Sequence, residues 1–311
     1  VRCTDTCDKI VTVYVDHEGL KGDSKFYVYA STTEEELAEL IEKAVEKASL
    51  LNNKLYLLPS DESGEYTVES NFSQYTLPQL AQLIGESVFA ANTREHADLN
   101  SVEVFVSRHT ETVVNSRGIH KTQIRYSAMV EAIPTYNGET ESVELYQQYN
   151  FSFFDAEEVK KQISEKLSEV ITRASAVKPD FAMDCKVILN IQELSQLFDT
   201  LAWDLNFATV YDQSNLFSKG DFIQENPTGD KISITMAGSL PGNIRSACFD
   251  RDGMTLTPTK IIEDGKVIAY FGDNRFGQYL EERPTGNLLC MEVALGTACE
   301  HCLTAFPCLE V

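Results

Sequence analysis

Positive charge is scarce in this sequence. Lysine and arginine total 26 against 48 aspartates and glutamates, a net charge of −22 over 311 residues. Binding to a phosphate backbone depends on lysine and arginine contacts and the counterions they displace. No basic cluster reverses the imbalance locally, so direct nucleic-acid binding is not expected. Long hydrophobic runs are absent too: no stretch of about 18 apolar residues occurs, which excludes a helical membrane span. No basic-then-apolar leader precedes the first strand, so the expectation is a cytoplasmic protein. Histidine is rare, at five residues (His17, His96, His109, His120 and His301), and no two of them share a helical turn. The H-E-x-x-H signature of a zinc peptidase helix is missing, as are the G-x-S-x-G hydrolase elbow and the G-x-x-x-x-G-K-[ST] phosphate loop. The eight cysteines are dispersed through a chain long enough to bury a sizeable core. They read as buried thiols rather than the dense disulfide framework of a small secreted domain.

What is present is patterned. Alternation across "KIVTVYVDHEGLKGDSKFYVYAST" predicts a hairpin, and the glutamate-rich stretch after Thr32 and Thr33 predicts a capped helix. The apolar stripe of that helix is Leu37, Leu40, Ile41, Ala44, Val45 and Ala48. "PSDESGEYTVESNFSQYT" reads as a long exposed loop, followed by a second helix with Pro78 in its first turn. From Ser101 to Phe154 the period is two, which predicts an antiparallel meander with turns at Asn115–Gly118 and Asn137–Gly138. A long helix follows, with Asp155 and Glu158 placed as a capping box. Beyond it come the short strand "KVILN", an amphipathic helix carrying Leu194, Leu197, Phe198, Leu201 and Leu205, and then short strands and turns. The fold class is therefore α+β. The expected domains are an N-terminal α/β-type unit over residues 1–178 and, over 179–311, a C-terminal domain built on a large antiparallel, barrel-like sheet.

Two places offer chemistry. Asp199 and Asp204 fall between the apolar residues of the helix, but five residues at 3.6 per turn set them about 140° apart. Without a break in the helix they diverge, and the reading is of solvated acids. The tail "CMEVALGTACEHCLTAFPC" holds Cys290, Cys299, Cys302 and Cys308, with His301 inside a C-x-x-C, and could in principle supply a tetrahedral thiolate site. Its spacing is irregular and its intervening residues apolar, so scattered core thiols are the preferred reading. The turns "NSRGIH", "LPGN" and "RPTGN" do not open helices after strands and read as hairpin turns.

The run from Leu240 to Asn287 resembles the TldD/PmbA family, which includes the paired subunits TldD and TldE. The resemblance is carried by a proline-glycine turn at Gly242 and by Phe249, Asp250 and Gly253. Ile262, Glu263 and Gly265 in a hairpin, Tyr270, and Thr285, Gly286 and Asn287 complete it. "VVNSRGI", with Asn115 and Gly118, matches an earlier family turn. The resemblance implies an α+β fold and a dimer whose cavity admits unfolded peptide segments. It also implies a family label as modulators of DNA gyrase, for which the net charge makes direct DNA contact a poor explanation.

Active members carry H-E-x-x-x-H on the helix after the "KVILN"-like strand, with a cysteine ligand near the C-terminus. Aligned without gaps, Asp199, Thr200 and Asp204 occupy the histidine, glutamate and histidine positions, and Trp203 replaces a small residue. The expectation is a chain with no catalytic or metal residues of its own: a TldE-like pseudoenzyme acting in proteolysis, with no cofactor, while zinc sits in a TldD-like partner. The alternatives are a metallopeptidase with a rearranged metal site and a non-enzymatic scaffold or binding homodimer. The chain is expected to form a homodimer or a heterodimer with a TldD-like zinc subunit, and the sequence does not settle which. Family members are usually longer, so the second domain is expected to be shortened or to continue outside this sequence.

Overall fold

The structure is a computed structural model describing residues 2–139, 142–178, 186–298 and 308–310, with backbone alone for 192 and 308–310. It opens with the expected hairpin, β1 (Lys9–His17) and β2 (Leu20–Val28), paired in register from Lys9↔Val28 to His17↔Leu20. Glu18 and Gly19 both take positive φ in the two-residue turn, the geometry that matches the strands' twist. Thr33 caps α1 (Glu34–Ala48) in a full capping box with Glu36. Ala44 and Ala48 are buried against the hairpin, where Gly22 leaves room for the backbone of Ala48. Ile41 and Val45, expected in the stripe, are exposed, because so small a sheet covers only a narrow band of the helix. β3 (Asn53–Lys54) then joins the edge of β2.

The segment from Pro59 to Thr76 is not the exposed loop that its polarity suggests. β4 (Ser63–Thr67) pairs in parallel with the lower part of a long strand described below, and a 3₁₀ turn at Asn71–Gln74 inserts Phe72 at zero exposure. Ser70 caps that turn through the amide of Phe72. α2 (Leu77–Ala90) carries a capping box of Thr76 and Gln79, with proline in its first turn.

β5 (Ala97–Val114) and β6 (His120–Asn137) are 18-residue strands joined by the Asn115–Gly118 turn. The sheet is not a meander. β5 occupies one edge of β6, while β4, β8 (Gln147–Phe151) and β7 (Ser142–Glu144) divide the other edge between them. Alternation along β6 gives each face its own character. Ala128, Val130 and Ala132 point into a core shared with Leu80, Ile84 and Val88 of α2 and with Val159, Ile163 and Leu167 of α3 (Ala156–Ala174). Asp155 caps α3 by accepting the amides of Glu157 and Glu158. The reciprocal bond of a capping box is not made.

β9 (Lys186–Ile188) pairs in parallel with β14 (Cys308–Glu310). α4 (Ile191–Asp204) and α5 (Phe207–Tyr211) follow β9. A second core gathers Phe198, Ala202 and Leu205 of α4 and its end with Ile234, Ile261, Ile262 and Val267. Leu197 faces away at 56% exposure, and Ala202 fills the place expected for it. The sheet beneath is small: β10 (Ile234–Ala237) lies between β11 (Thr259–Glu263) and β13 (Cys290–Val293), with β12 (Lys266–Val267) outside β11. α6 (Asn274–Tyr279) packs on α5. The α+β class holds, yet the large sheet lies in residues 63–151, and among the described residues the C-terminal sheet stays open at four short strands. Of the three glycine-rich turns, only Asn115–Gly118 joins two paired strands.

Candidate functional site

α4 positions the three residues that occupy the catalytic positions implied by the resemblance, and each is engaged locally. Asp204, at the helix end, turns toward the following loop. Its Oδ1 accepts the amide of Leu216 at 2.6 Å and its Oδ2 that of Phe217 at 3.0 Å. Asp199 lies on another face, 3.6 Å from the guanidinium of Arg245 in an exposed ion pair. Thr200 donates its hydroxyl to the carbonyl of Gln196, one turn back. The two carboxylates thus diverge, as the helical period requires. Trp203 stands in solvent at 68% exposure, where a side chain does nothing to bend the helix. The break comes after Asp204, where Asn206 caps α5 through the amide of Ala208.

Zinc binding needs three or four converging nitrogen, sulfur or oxygen donors. Along α4 the donor set consists of two divergent carboxylates and no imidazole, and it does not fit a zinc ion. Among the described residues no group of three or more histidines, cysteines and acids is placed to hold a metal. Of the tail thiols, Cys290 is fully buried, with Sγ 3.8 Å from both Ser246 Oγ and the carbonyl of Gly238, and burial pushes its thiol up. Cys299, Cys302 and the side chain of Cys308 lie outside the described residues.

The motif residues from the two halves of the sequence meet at one junction. Asn115 closes its turn by accepting the amides of Arg117 and Ile119, and it donates to Pro59. Gly118, at φ +93°, allows that turn to abut Asp61. Ile119 then reaches Gly253, where a Cβ would come within 2.6 Å of its Cγ2. Asp250 organises the other side: Oδ1 accepts the amides of Asp252 and Met254, and Oδ2 accepts that of Asn287, beside Gly286. Burial nevertheless raises the Asp250 carboxyl, outweighing the three amide bonds that favour its charge. Gly242 accepts Ser152 N–H from the first sheet, and Glu263 pairs with Lys260 beside the positive-φ Gly265.

The polar face of β6 completes the junction. Lys121 has no exposed surface. Its ammonium donates to Glu62, to the carbonyl of Gly253 and to Thr255 Oγ1, and lies 6.0 Å from the Phe249 ring centroid. Gln123 bridges the backbone of the facing loop, accepting Cys248 N–H and donating to the Phe249 carbonyl. Both residues escaped notice in the sequence. Alternation marked them as the polar side of a strand, and nothing local signals that a loop over 120 residues away covers that side.

Residues 182–297 match the model of the PmbA/TldA metallopeptidase C-terminal domain. That stretch is similar to the C-terminal domain of this family and covers less than half of the chain. The fold agrees. A crystal structure described as a modulator of a DNA gyrase from Thermotoga maritima superposes with a TM-score of 0.73 at 14% identity, over 94% of this chain and 68% of that one. TldE from Thermococcus kodakarensis gives 0.72 at 16%, over 93% and 68%. A further protein described as a gyrase modulator, from Bacteroides thetaiotaomicron, gives 0.69 at 15%, over 92% and 66%. The chain spans about two thirds of the length of these structures. A comparison with curated protein sequences gives no match. No helix among the described residues is long and apolar enough to cross a membrane.

Proposed function

We propose that this chain is a noncatalytic, TldE-like subunit of a cytoplasmic metallopeptidase complex that acts on unfolded peptide segments. The observation that carries the reading is the condition of α4. The acids standing where the family places its histidines point apart, one tied to two backbone amides and the other to an exposed arginine. Hydrolysis assisted by zinc requires a bound water and a group to take its proton, and this helix offers neither a ligand set nor a base. The chain's role is then to shape the chamber and hold the peptide, while a TldD-like subunit supplies zinc. The net charge of −22 directs it toward peptides rather than nucleic acid.

The test is reconstitution. The isolated protein, loaded with zinc, should leave an unfolded model peptide intact and carry no stoichiometric zinc in native mass spectrometry. Mixed with a zinc-bearing TldD-like subunit from the same source, it should form a complex whose cleavage depends on both chains. Cleavage by the isolated protein at a rate matching the complex, with one zinc per chain, would overturn the reading in favour of a rearranged metal site.

A further inference from the structure

Among the described strands, β8 pairs with β6 alone, so its outer edge is unpaired. This strand and the first two turns of α3 line a cleft of about 240 Å³. The Tyr149 hydroxyl links the two walls, donating to the carbonyl of Gln162 at 3.2 Å. Such a volume is below that of pockets for whole small molecules and suits one long side chain.

The lining is acidic. Asp155 and Glu158 bring two carboxylates, Gln148, Asn150 and Gln162 bring carboxamides, and Phe153 adds a partly exposed ring. No lysine, arginine or histidine lines the cleft among the described residues. Asp155 Oδ1 accepts the amides of Glu157 and Glu158, and Glu158 Oε1 accepts Gln162 Nε2 at 2.9 Å. The cations of α3 are engaged or aimed elsewhere. Lys160 pairs with Glu157 and Lys166 with Glu169, while Lys161 is set about 100° around the helix from Gln162. Arg245, on the turn whose Gly242 accepts Ser152 N–H just past β8, lies 3.6 Å from Asp199. Glu165 and Glu169 recur at helical spacing after Glu158 and Gln162, so the acidic side of α3 continues beyond the cleft.

We propose that this cleft seats the arginine or lysine side chain of an extended peptide whose backbone lies along the free edge of β8. The site rests on the reading that this chain holds peptide, and it names the residue class preferred. Main-chain bonds to a strand edge accept any sequence, and a pocket beside the edge supplies the preference. Two carboxylates without a cationic partner are the complement of a guanidinium or ammonium group. β8 ends at the turn that carries Arg245, the partner of Asp199, so a peptide on this edge runs toward α4.

Fluorescence anisotropy with the whole chain tests the site. The probes are two short labelled peptides of glycine, serine and alanine, one with a central arginine and one with citrulline there. At physiological salt the arginine peptide should bind about three- to tenfold more tightly. Glu158→Lys should abolish that ratio. Glu157→Lys makes the same charge change beside Lys160, away from the cleft, and should keep the ratio. Equal affinity for the two peptides, no measurable binding of either, or equal losses in both variants would overturn the proposal. Should lysine disturb the start of α3, Glu158→Gln decides: a reduced ratio supports the site and an unchanged one refutes it. Chelator is present throughout, so neither zinc nor cleavage enters the measurement. Cleavage by the isolated chain would sink the noncatalytic reading and leave the ratio standing, whereas a lost ratio would sink the cleft alone.

Discussion

Asp204 shows how one carboxylate can serve the fold at a position where the resemblance implies a metal ligand. Each of its oxygens accepts a backbone amide at the start of the loop after α5, a loop that runs on to Phe217 in the second core. Asp204→Ala removes both bonds, of which only that to Phe217 is part-buried, and should cost about 1–2 kcal/mol. A fall of several degrees in melting temperature would register it. Asp199→Ala should lie within about 0.5 kcal/mol of the wild type, because its partner is an exposed arginine. The divergence of the two acids was readable from spacing alone. Their partners were not: Leu216 and Phe217 lie across a short helix from Asp204, and Arg245 comes from a turn 46 positions on. A polar helix face does not record which loop will arrive beside it.

At the scale of elements, the segment between α1 and α2 taught the most. Polarity and turn residues described Pro59–Thr76 as solvent loop, yet Phe72 is sealed in the first core and β4 forms a parallel edge of the main sheet. A two-sided strand of five residues with one aromatic carries too weak a period to be seen, and its pairing depends on an edge of β6 that sequence order does not reveal. Phe72→Ala should destabilise by about 3–5 kcal/mol, measured by urea unfolding, where an exposed-loop phenylalanine would cost almost nothing. The junction of β6 with the loop at 248–255 makes a second measurable claim. Lys121 and Thr255 hold the Glu62 carboxyl below its usual range, Lys121 foremost. A depressed carboxyl contributes stability above its ordinary value and loses it as pH falls through the lowered one. Lys121→Met should therefore flatten the decline in urea midpoint between pH 5 and pH 3, on top of the loss expected from breaking a buried charge. A decline as steep as the wild type's would show that Glu62 takes no part.

For the molecule as a whole, two cores assembled from different stretches of chain are joined by the residues that carry the family resemblance. Those residues looked in the sequence like a string of turns. In the structure Asp250 draws the 250–254 loop and the Gly286–Asn287 turn together, and Gly253 fits against Ile119 from the first sheet. Motif matching was therefore a better guide to the long-range architecture than periodicity, which sees only local elements. The size of the second sheet escaped both, since short strands broken by glycine turns look alike in an open sheet and a barrel. Removal of the partner's zinc should abolish peptide cleavage by the reconstituted complex and leave this chain's own melting temperature unmoved. A drop in the isolated chain's stability on chelation would expose a metal that the α4 geometry does not provide for.

The bond between Leu57 and Gln278 of α6 also has a history during synthesis. Leu57 meets Gln278 across 221 positions. A ribosome adding 5–20 residues each second needs roughly 10–45 seconds to travel that distance. Throughout that interval the nascent hairpin and helix have no dock, and the Tyr56 ring has Tyr14 beside it but not yet Tyr279. The exposed Lys9, Glu34, Glu35 and Glu36 keep the waiting unit soluble. Its few buried residues, Ala44 and Ala48 among them, leave it without a full core until residue 279 emerges.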